Sequence, residues 1–494
     1  MHLSIEDIAS YTNGVIVAPG RPGAMASGLT WDSREVQPGD LYVALPGDRV
    51  DGHDFCTAAS DSGAACVLVM HDLDEASSEK LHAAACGIVE VADTADALVA
   101  LARAWRGYLS GTVVGITGSS GKTTTKNLVR DVLSAAMDVT ATKANQNNEL
   151  GVPRTLLSAG EDTDAIVVEM GMRGMGQIAA LCEFVRPDMG LVTNVGTSHI
   201  ELLGSRENIA LAKGELLDNL PVGGFAFLNA DDEYSAYLLN TLELDDRGVR
   251  CIFYAGSDAF EHVDELGVFR NADPFVWASD VSYDAQGRPT FTMHARHFAE
   301  IGLPDLDGDA PCTLELRGAH NVSNACAAAA VGMALGMRIE QCCAALAAAQ
   351  PERGRQQVFT SGEGVVVVDD SYNANPDSMR ASLSMFQSME VAGRRIAVLG
   401  DMGELGDYSA EGHALVGEAA AHAGVDMLVC VGQRAAGIAE SARKAGFPAA
   451  QVVEVKNAHD AIPVVRDAAR AGDAVLVKAS HSMELNRVVE GLMA

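Results

Sequence analysis

The sequence predicts an α/β protein of three domains, with a central doubly wound P-loop sheet and a Rossmann-like C-terminal domain. Its 494 residues correspond to about three domains at roughly 150 residues per domain. Continuous apolar strands alternate with helical segments along most of the chain, which is typical of parallel sheets covered on both faces. One of these strands leads directly into a glycine-rich loop that ends in Gly-Lys-Thr.

The first domain is predicted over residues 1–110 as a small α/β unit. Short apolar segments favour strands over residues 28–32, 40–45 and 65–69. A helix-forming segment over residues 93–109 is expected to lead into the central domain.

The central domain is predicted over residues 111–350. Apolar segments favour strands over residues 113–116, 165–168 and 189–192. Helices are expected between them, and the first of these covers residues 126–136.

Residues 275–317 interrupt this alternation of strands and helices. Polar and apolar residues alternate over 281–283 and again over 290–293, on either side of a turn, which predicts an antiparallel hairpin. An alanine-rich helix is expected over residues 323–336.

The third domain is predicted over residues 351–494 as a second doubly wound unit. Buried-type strands are expected over residues 365–368, 396–399, 427–431 and 474–477. Because no Gly-x-Gly-x-x-Gly follows the first of these strands, the sequence does not predict a dinucleotide site.

The composition argues against nucleic acid as a partner and against secretion or membrane insertion. Lys and Arg number 35 against 67 Asp and Glu, a net charge of −32, and so acidic a surface repels nucleic acid. The segment Met1 to Gly14 lacks the apolar stretch of a signal peptide. No uncharged apolar run reaches about 18 residues, so we expect no membrane insertion and a cytoplasmic protein. The ten cysteines lack metal-site spacing and are expected to be buried, with Cys342 and Cys343 in a helix.

The glycine-rich loop predicts a nucleotide triphosphate site with Mg²⁺. Its backbone N–H groups can surround phosphate oxygens, Lys122 can reach the β- and γ-phosphates, and the Thr123 hydroxyl can ligate Mg²⁺. The following helix would add the positive end of its dipole. Ile116 stands where the full motif has a glycine. The predicted ATP-binding residues of the loop are Gly118, Ser119, Ser120, Gly121, Lys122, Thr123 and Thr124.

Polar residues also follow the two other predicted strands of the central sheet. Glu169 ends one strand, and residues 193–199, which finish in His199, follow the other. Because ligand groups gather at the carboxyl ends of parallel strands, Glu169 can share a Mg²⁺ with Thr123. An exposed loop carboxylate is the alternative for Glu169, and a capping or core residue is the alternative for His199.

Several motifs together resemble the Mur ligases, the ATP-dependent amino-acid ligases of cell-wall precursor synthesis. The resemblance covers nearly the whole chain and rests on residues 145–153, 194–201, 212–215, 318–324, 369–378 and 399–406. The string Asp-Asp-Ser-Tyr-Asn-Ala-Asn-Pro over 369–376 is the most specific of them. It points to the family member that joins D-Ala-D-Ala to UDP-N-acetylmuramoyl-tripeptide through an acyl phosphate. The family's partners are then ATP, the UDP-linked tripeptide and D-Ala-D-Ala, and we expect a monomer.

The resemblance implies catalytic roles for Lys122, Glu169, His199 and Lys213. In the family, the lysine that matches Lys213 carries CO₂ as a carbamate (N6-carboxylysine), which can ligate a second Mg²⁺ together with His199. The predicted metal ligands are therefore Thr123, Glu169, His199 and the carbamate of Lys213. From its spacing alone, Lys213 would be a surface lysine paired with Glu215 or Asp218.

Further roles in binding follow from the same resemblance. Nucleotide contacts are implied for His320, Asn321, Asn324, Arg355, Asp370 and Tyr372, and Arg353 can share the role of Arg355. Substrate contacts are implied for Ser33, Arg34, Asp51, His53, Asn145, Asn147, Asn148, Asn373, Asn375, Lys478 and Ser480. Helix caps, turns and surface positions are the alternatives for these residues.

One position departs from the family's C-terminal Lys-Gly-Ser-Arg pattern. The chain has Lys478, Ala479, Ser480 and His481 there, so the role of the missing arginine is in doubt. Arg487 is close enough in sequence to replace it.

Four rival functions remain open at the level of sequence. The preceding ligase of the same pathway and folylpolyglutamate synthase would use a similar ATP site. A P-loop kinase or ATPase would need no amine substrate, and a nucleotide-binding regulator would need no second metal site.

Overall fold

A computed structural model describes residues 1–47, 50–258 and 273–493 of the chain. It contains three α/β domains built on sheets of five, nine and six strands, together with a two-stranded ribbon of β1 (Leu3–Ser4) and β3 (Met25–Ala26). The predicted fold class is confirmed.

The N-terminal sheet has the strand order β2-β7-β6-β5-β4, in which only β2 is antiparallel to its neighbour. Short helices pack around it. The strands are β2 (Val15–Pro19), β4 (Gly28–Thr30), β5 (Asp40–Val43), β6 (Cys66–Val69) and β7 (Gly87–Glu90), and the helices are α1 (Ile5–Thr12), α2 (Cys56–Asp61), α3 (Glu75–Ala83) and α4 (Thr94–Trp105).

The central sheet has the order β16-β15-β14-β13-β12-β11-β8-β10-β9. The strands are β8 (Thr112–Thr117), β9 (Val139–Ala141), β10 (Ala165–Glu169), β11 (Met189–Val192), β12 (Phe225–Asn229), β13 (Arg250–Ala255), β14 (Phe275–Tyr283), β15 (Pro289–Arg296) and β16 (Gly308–Thr313). The helices are α5 (Lys122–Ser134), α6 (Gly151–Ser158), α7 (Gln177–Val185), α8 (Ile200–Leu203), α9 (Arg206–Asp218), α10 (Tyr234–Thr241), α11 (His320–Ala334) and α12 (Ile339–Ala348).

The third sheet has the order β17-β18-β22-β19-β20-β21 and is parallel except for β17. The strands are β17 (Gln357–Thr360), β18 (Val366–Asp369), β19 (Arg395–Gly400), β20 (Met427–Val431), β21 (Val452–Val455) and β22 (Ala474–Lys478). The helices are α13 (Pro376–Ser388), α14 (Ser409–His422), α15 (Ala436–Lys444), α16 (Ala458–Ala468) and α17 (Asn486–Met493).

The predicted antiparallel hairpin is confirmed, and it is longer than the alternation of residues indicated. Strands β14 and β15 pair from Phe275 opposite Arg296 to Tyr283 opposite Pro289, and β16 adds a third antiparallel strand. The helix after the phosphate loop begins at Lys122, four residues earlier than predicted. Polar Thr123 to Lys126 obscured this first turn, because the apolar periodicity becomes visible only at Leu128.

The apolar cores divide the chain into two packed units. One cluster joins Leu98, Leu101 and Trp105 of α4 to Leu156 and Ile166 of the central domain, so the first two domains share a core. The clusters on the two faces of the third sheet contain only residues from Val358 onward. The third domain therefore has its own core.

The ten cysteines are free thiols, and nine of them are buried while Cys251 is half-buried. Cys342 and Cys343 lie in α12 with their side chains in the core, as predicted. Within the described ranges, no helix combines the length and the apolar character needed to span a membrane.

Candidate functional site

The phosphate loop lies at the carboxyl end of β8, between β10 and β11. Gly121 adopts a φ of 77°, and a Cβ atom on it would lie 3.0 Å from Asn324 Oδ1, so both the backbone and the space favour glycine there. Lys122 begins α5, and its Nζ donates to the Gly118 carbonyl at 2.7 Å. Burial lowers the pKa of Lys122. An amine and a helix N-terminus thus meet at one point, which suits a phosphate.

The end of β11 holds this loop in place. Asn194 Oδ1 accepts from the Ser120 N–H at 3.0 Å and from its hydroxyl at 3.2 Å. The Thr193 hydroxyl donates to the Ser120 carbonyl at 2.6 Å. Side chains that follow β11 therefore fix the loop. The sequence predicted that these residues and the loop would lie at the same edge of the sheet.

Glu169 is buried at the end of β10 with one oxygen in use and one free. Its Oε1 accepts from the Thr123 hydroxyl at 3.2 Å and from Asn147 Nδ2 at 2.8 Å. Its Oε2 is buried and has no hydrogen-bond partner among the described residues, while the side chain is only 1% exposed. A buried carboxylate oxygen without a partner is unfavourable. Together with the Thr123 hydroxyl, it forms a hard-oxygen pair that fits Mg²⁺.

Lys213 is buried on α9 rather than lying on the protein surface. It is 1% exposed, and burial, followed by the charge of Lys122, lowers its pKa well below the ordinary value. Across the described ranges, its amine makes no hydrogen bond and no ion pair, and no carboxylate raises its pKa. The surface pairing with Glu215 or Asp218 is absent, since Glu215 accepts from backbone N–H groups at the start of α7 and Asp218 pairs with Arg247. Such an amine is disposed to be neutral.

His199 lies at the start of α8 and faces a carboxylate of the third domain. Its Nδ1 is 2.8 Å from Glu404 Oε2, although the atoms are not aligned as a hydrogen bond. Arg173 lies 3.4 Å from the other oxygen of Glu404. The contact with His199 lowers the pKa of Glu404. Glu404 lies in the motif 399–406 but was given no role from the sequence, and Arg173 lies in none of the motifs.

The start of α11 forms a second group of polar residues. Asn324 Nδ2 donates to Asn321 Oδ1 at 2.9 Å, and Asn324 Oδ1 accepts from the Thr125 hydroxyl at 3.1 Å. His320 Nε2 lies 3.1 Å from the amide nitrogen of Gln356, and burial lowers the pKa of His320. Asn321, Asn324 and His320 thus cluster beside the phosphate loop, as the sequence predicted. Gln356 was missed because no motif contains it.

Arg355 connects the third domain to the phosphate loop. It donates to the Thr123 hydroxyl at 2.9 Å, and its guanidinium group lies 4.3 Å from the centre of the Tyr372 ring. Arg353, the alternative to Arg355, is 85% exposed in its side chain and pairs weakly with Glu490 at 3.7 Å. The structure therefore favours Arg355 over Arg353.

Lys478 holds the loop that follows β18. Its Nζ lies 2.8 Å from Asp370 Oδ2 and donates to the Asn373 carbonyl at 2.9 Å. Ser480 accepts from the Gly403 N–H at 2.8 Å. His481 stands 5.7 Å from the Tyr372 ring.

Arg487 does not take the place of the family arginine. It pairs with Glu484 at 2.8 Å and does not line the cleft. Nothing in the structure explains the histidine at 481.

One cleft of about 1770 Å³ lies between the central and third domains. Every residue predicted to bind ATP or metal lines it, together with Asn145, Asn147, Asn148, Asn373, Asn375, Lys478 and Ser480. The sequence predicted this set from separate motifs, and the fold brings its members together.

The four predicted residues of the first domain do not line this cleft. Arg34 pairs with Asp32 at 2.6 Å, close to Ser33. His53 is buried, with Nδ1 2.6 Å from Asp51 and Nε2 accepting from the Met70 N–H at 3.0 Å. In this state the ring of His53 has both nitrogens occupied by the protein itself.

Comparison with known proteins gives concordant matches. The chain matches three family models: the Mur ligase catalytic domain over residues 26–106, the Mur ligase middle domain over 116–332, and the Mur ligase glutamate ligase domain over 354–481. It is 38% identical to the UDP-N-acetylmuramoyl-tripeptide–D-alanyl-D-alanine ligase of Mycobacterium tuberculosis, covering 100% of this chain and 98% of that protein.

Two solved structures are similar over nearly the whole length. MurF from Acinetobacter baumannii superposes with a TM-score of 0.81 at 27% identity, covering 100% of this chain and 99% of the other. MurF ligase from Thermotoga maritima in complex with ADP superposes with a TM-score of 0.73 at 27% identity, covering 95% and 97%.

Proposed function

The chain belongs to the Mur ligase family, and on this premise we propose that it joins D-Ala-D-Ala to UDP-N-acetylmuramoyl-tripeptide at the expense of ATP. The products are UDP-N-acetylmuramoyl-pentapeptide, ADP and phosphate. One observation carries the proposal: the phosphate loop, the half-satisfied Glu169, the unpaired Lys213 and Arg355 of the third domain all face one cleft. The relatives named for this activity match over the full chain and supply the substrates.

The reaction proposed for this cleft has two steps. A terminal carboxylate oxygen of the tripeptide attacks the γ-phosphorus of ATP, and ADP leaves. The free amine of D-Ala-D-Ala then attacks the carbonyl carbon of the acyl phosphate and loses a proton, and phosphate leaves from the tetrahedral intermediate. Phosphate is a far better leaving group than oxide, so activation makes amide formation feasible. Catalysis then consists mainly of positioning and charge neutralisation.

The residues of the cleft divide this work. The loop N–H groups and Lys122 hold the β- and γ-phosphates, whose negative charge would otherwise repel the incoming carboxylate. Arg355 adds a second positive charge next to Thr123. Asn145, Asn147 and Asn148, which line the cleft, would contact the sugar-peptide, and Asn373 and Asn375 would contact the dipeptide.

The proposal includes two Mg²⁺ sites, the second of which needs a carbamate on Lys213. Thr123 and Glu169 would hold one ion, and His199 with a carbamylated Lys213 would hold the other. Bound Mg²⁺ supplies neutralisation of phosphate charge. The lowered pKa of Lys213 supports the carbamate, because only a neutral amine reacts with CO₂.

Four further parts of the proposal concern the rest of the protein. The UDP end would bind the first domain through Ser33, Arg34, Asp51 and His53. The domains would span residues 1–110, 111–350 and 351–494. We also propose a monomer and place the reaction in the cytoplasm.

The test is phosphate release from ATP and Mg²⁺ with the UDP-linked tripeptide, with and without D-Ala-D-Ala, followed by product mass. Release that needs both substrates, together with the mass of the UDP-pentapeptide, is the expected result. Release without the dipeptide would indicate an ATPase or kinase. Addition of a free diamino acid to the UDP-dipeptide would indicate the preceding ligase, and addition of glutamate to folate would indicate a folylpolyglutamate synthase.

A further inference from the structure

The start of α13 in the third domain docks onto residues 196–198 of the central domain. Asp377 Oδ2 accepts from the Thr197 N–H at 3.1 Å and from the Thr197 hydroxyl at 3.3 Å. Asn375 Nδ2 donates to the Ser198 hydroxyl. These contacts join residues about 180 positions apart, one set after a strand of the central sheet and the other at the start of a helix of the third domain. Asp377 has no role in the reaction described above.

The same segment holds the phosphate loop from its other side. The Ser198 hydroxyl donates to the Ser119 carbonyl at 3.0 Å, and the Gly196 N–H donates to the Ser119 hydroxyl at 2.9 Å. Ser119 is therefore held through both its backbone and its side chain. A continuous chain of hydrogen bonds runs from Asn375 through Ser198 to Ser119.

Close packing at Gly196 makes the contact sensitive to a single methyl group. A Cβ atom on Gly196 would overlap Asp377 Oδ2 and would lie 3.4 Å from Ser119 Cβ. The backbone of Gly196 is outside the left-handed region, so alanine fits its conformation and only the space is lacking. An alanine at 196 would thus oppose docking and leave the internal contacts of each domain intact.

Asp377 is available for this contact because it has no competing ion pair. Within the part of the chain that the structure describes, no lysine, arginine or histidine lies within ion-pair distance of its carboxylate. It stands in the first turn of α13, where the helix dipole favours a negative charge. Its carboxylate therefore accepts its hydrogen bonds from Thr197 of the central domain.

We propose that Asp377 is a positioning residue that couples docking of the third domain to the conformation of the phosphate loop. The coupling would order the phosphate loop fully only when the cleft is closed. This purpose rests on the ligase reaction proposed above. A reactive acyl phosphate would then form only where water is excluded. By linkage, nucleotide binding favours docking to the same degree that docking favours nucleotide binding.

The test measures ADP affinity by calorimetry, ligase kinetics, and compaction by small-angle X-ray scattering. The variants are Asp377→Ala, Gly196→Ala and the double variant. The control is Glu411→Ala, which removes an exposed carboxylate from the first turn of α14 in the same domain. We expect each single variant to weaken ADP binding about tenfold, equivalent to about 1.4 kcal/mol, and to lose compaction on adding ADP. Their thermal unfolding should match the control.

The double variant distinguishes one shared contact from two independent effects on ADP affinity. If Asp377 and Gly196 act through one contact, the double variant is no weaker than the worse single variant, since removing the carboxylate makes room for the methyl group. Asp377→Asn keeps an acceptor oxygen and should recover much of the ADP affinity. A helix weakened only in stability would lower the melting temperature and would not be rescued in this way.

Two results would overturn the proposal. One is wild-type ADP affinity and compaction in Asp377→Ala, and the other is full additivity of the two single variants. ADP binding and compaction require neither the tripeptide nor the dipeptide. They therefore test the coupling even if ligation of D-Ala-D-Ala is not observed, so the two proposals can fail separately.

Discussion

At the scale of single residues, two buried lysines near the cleft differ in what surrounds their amines. Lys126 and Lys213 are each 1% exposed. Lys126 donates to the carbonyls of Thr142 at 2.7 Å and Ala144 at 3.3 Å, whereas Lys213 has no acceptor among the described residues. Carbonyl oxygens stabilise an ammonium ion, and their absence favours the neutral amine. Burial lowers the pKa of both amines, but the pKa of Lys213 falls well below its ordinary value, so of the two Lys213 is the one disposed to react with CO₂.

We predict that ¹³C-labelled bicarbonate gives one carbamate resonance in the wild type and none in Lys213→Ala. Depleting CO₂ should lower ligase activity reversibly, and Lys213→Ala should lose activity by about 10²-fold or more, as with other losses of charge stabilisation. Lys126 serves as the internal control, since its amine is held by carbonyls. A carbamate signal that persists without Lys213 would show that another amine carries the group.

A second residue-scale prediction concerns Arg355. Arg355→Lys keeps the charge but removes the planar group that stacks on Tyr372 and reaches Thr123. We expect kcat/KM for ATP to fall about 10- to 100-fold, in the range of a lost charge-stabilising donor. The matched control is Arg353→Lys, which should change it less than twofold because the Arg353 side chain is 85% exposed. Equal effects of the two substitutions would contradict the assignment.

The sequence identified residues that belong to local motifs, and it missed residues that act by proximity alone. The phosphate loop could be located because its spacing is itself the signal, whereas the start of α11 was located through the resemblance to the Mur ligases. Gln356 and Glu404 become important only through a partner on a distant element, His320 and His199 respectively. Glu404 lies within the motif 399–406 and Gln356 lies in no motif, but no local spacing encodes either contact, so the sequence gave no reason to assign them these roles.

At the scale of elements, the segment 142–148 is attached to the site by two tethers. Lys126 on α5 holds its start through two carbonyls, and Asn147 near its end donates to Glu169. The segment carries the asparagines proposed to contact the sugar-peptide. Its position is thus tied to the helix that begins at the phosphate loop.

We predict that Lys126→Met frees this segment while leaving the phosphate loop in place. The substitution removes two hydrogen bonds from a charged donor, each worth about 1.5–3 kcal/mol. Amide exchange over 142–148 should accelerate, and the KM for the UDP-tripeptide should rise more than the KM for ATP. Arg130→Met, also on α5 but paired only with its near neighbours, is the control. Equal changes in the two KM values would argue against a separate tether.

The element types followed from the sequence more reliably than the element ends. Apolar runs such as 427–431 coincide with β20, because a strand buried on both faces requires continuous apolar residues. The predicted helix over 93–109 instead ends at Trp105. The last predicted turn is not helical. Arg106 follows the helix directly, and its guanidinium group donates to the carbonyls of Val185 and Leu109. That tertiary contact has no trace in local periodicity.

At the scale of the whole molecule, the distribution of the cores predicts two cooperative units. The first and central domains share a core that includes Trp105, whose indole N–H donates to the Ala159 carbonyl at 3.0 Å. The third domain has separate cores. Domains that share a core unfold together, whereas polar interfaces couple domains weakly.

Calorimetry of the free protein should therefore show two transitions. Trp105→Phe leaves the Ala159 carbonyl without its indole donor, at a cost of about 1–3 kcal/mol, and should shift only the transition of residues 1–350. Phe386→Leu, in the core of the third domain, is the reciprocal variant and should shift only the other transition. A single transition, or joint shifts in both variants, would contradict the division.

The sequence predicted three domains but not this grouping into two units. Trp105 lies at the end of a helix whose apolar face is evident from periodicity alone. Which domain receives that face depends on how the second sheet is placed against the first. This placement is a long-range property that a single sequence does not reveal.

The buried cysteines allow the opening of the two folding units to be measured separately by thiol labelling. Cys430 is the single cysteine of residues 351–494, and it is buried in β20, while the other nine lie in the remainder of the chain. A thiol reagent reaches a buried sulfur only when its surroundings open, so the labelling rate reports the opening frequency of that unit. Peptide mapping after timed exposure to the reagent would therefore give the opening rate of the third domain from the labelling of Cys430. The same sample would time the other unit through the remaining buried sulfurs.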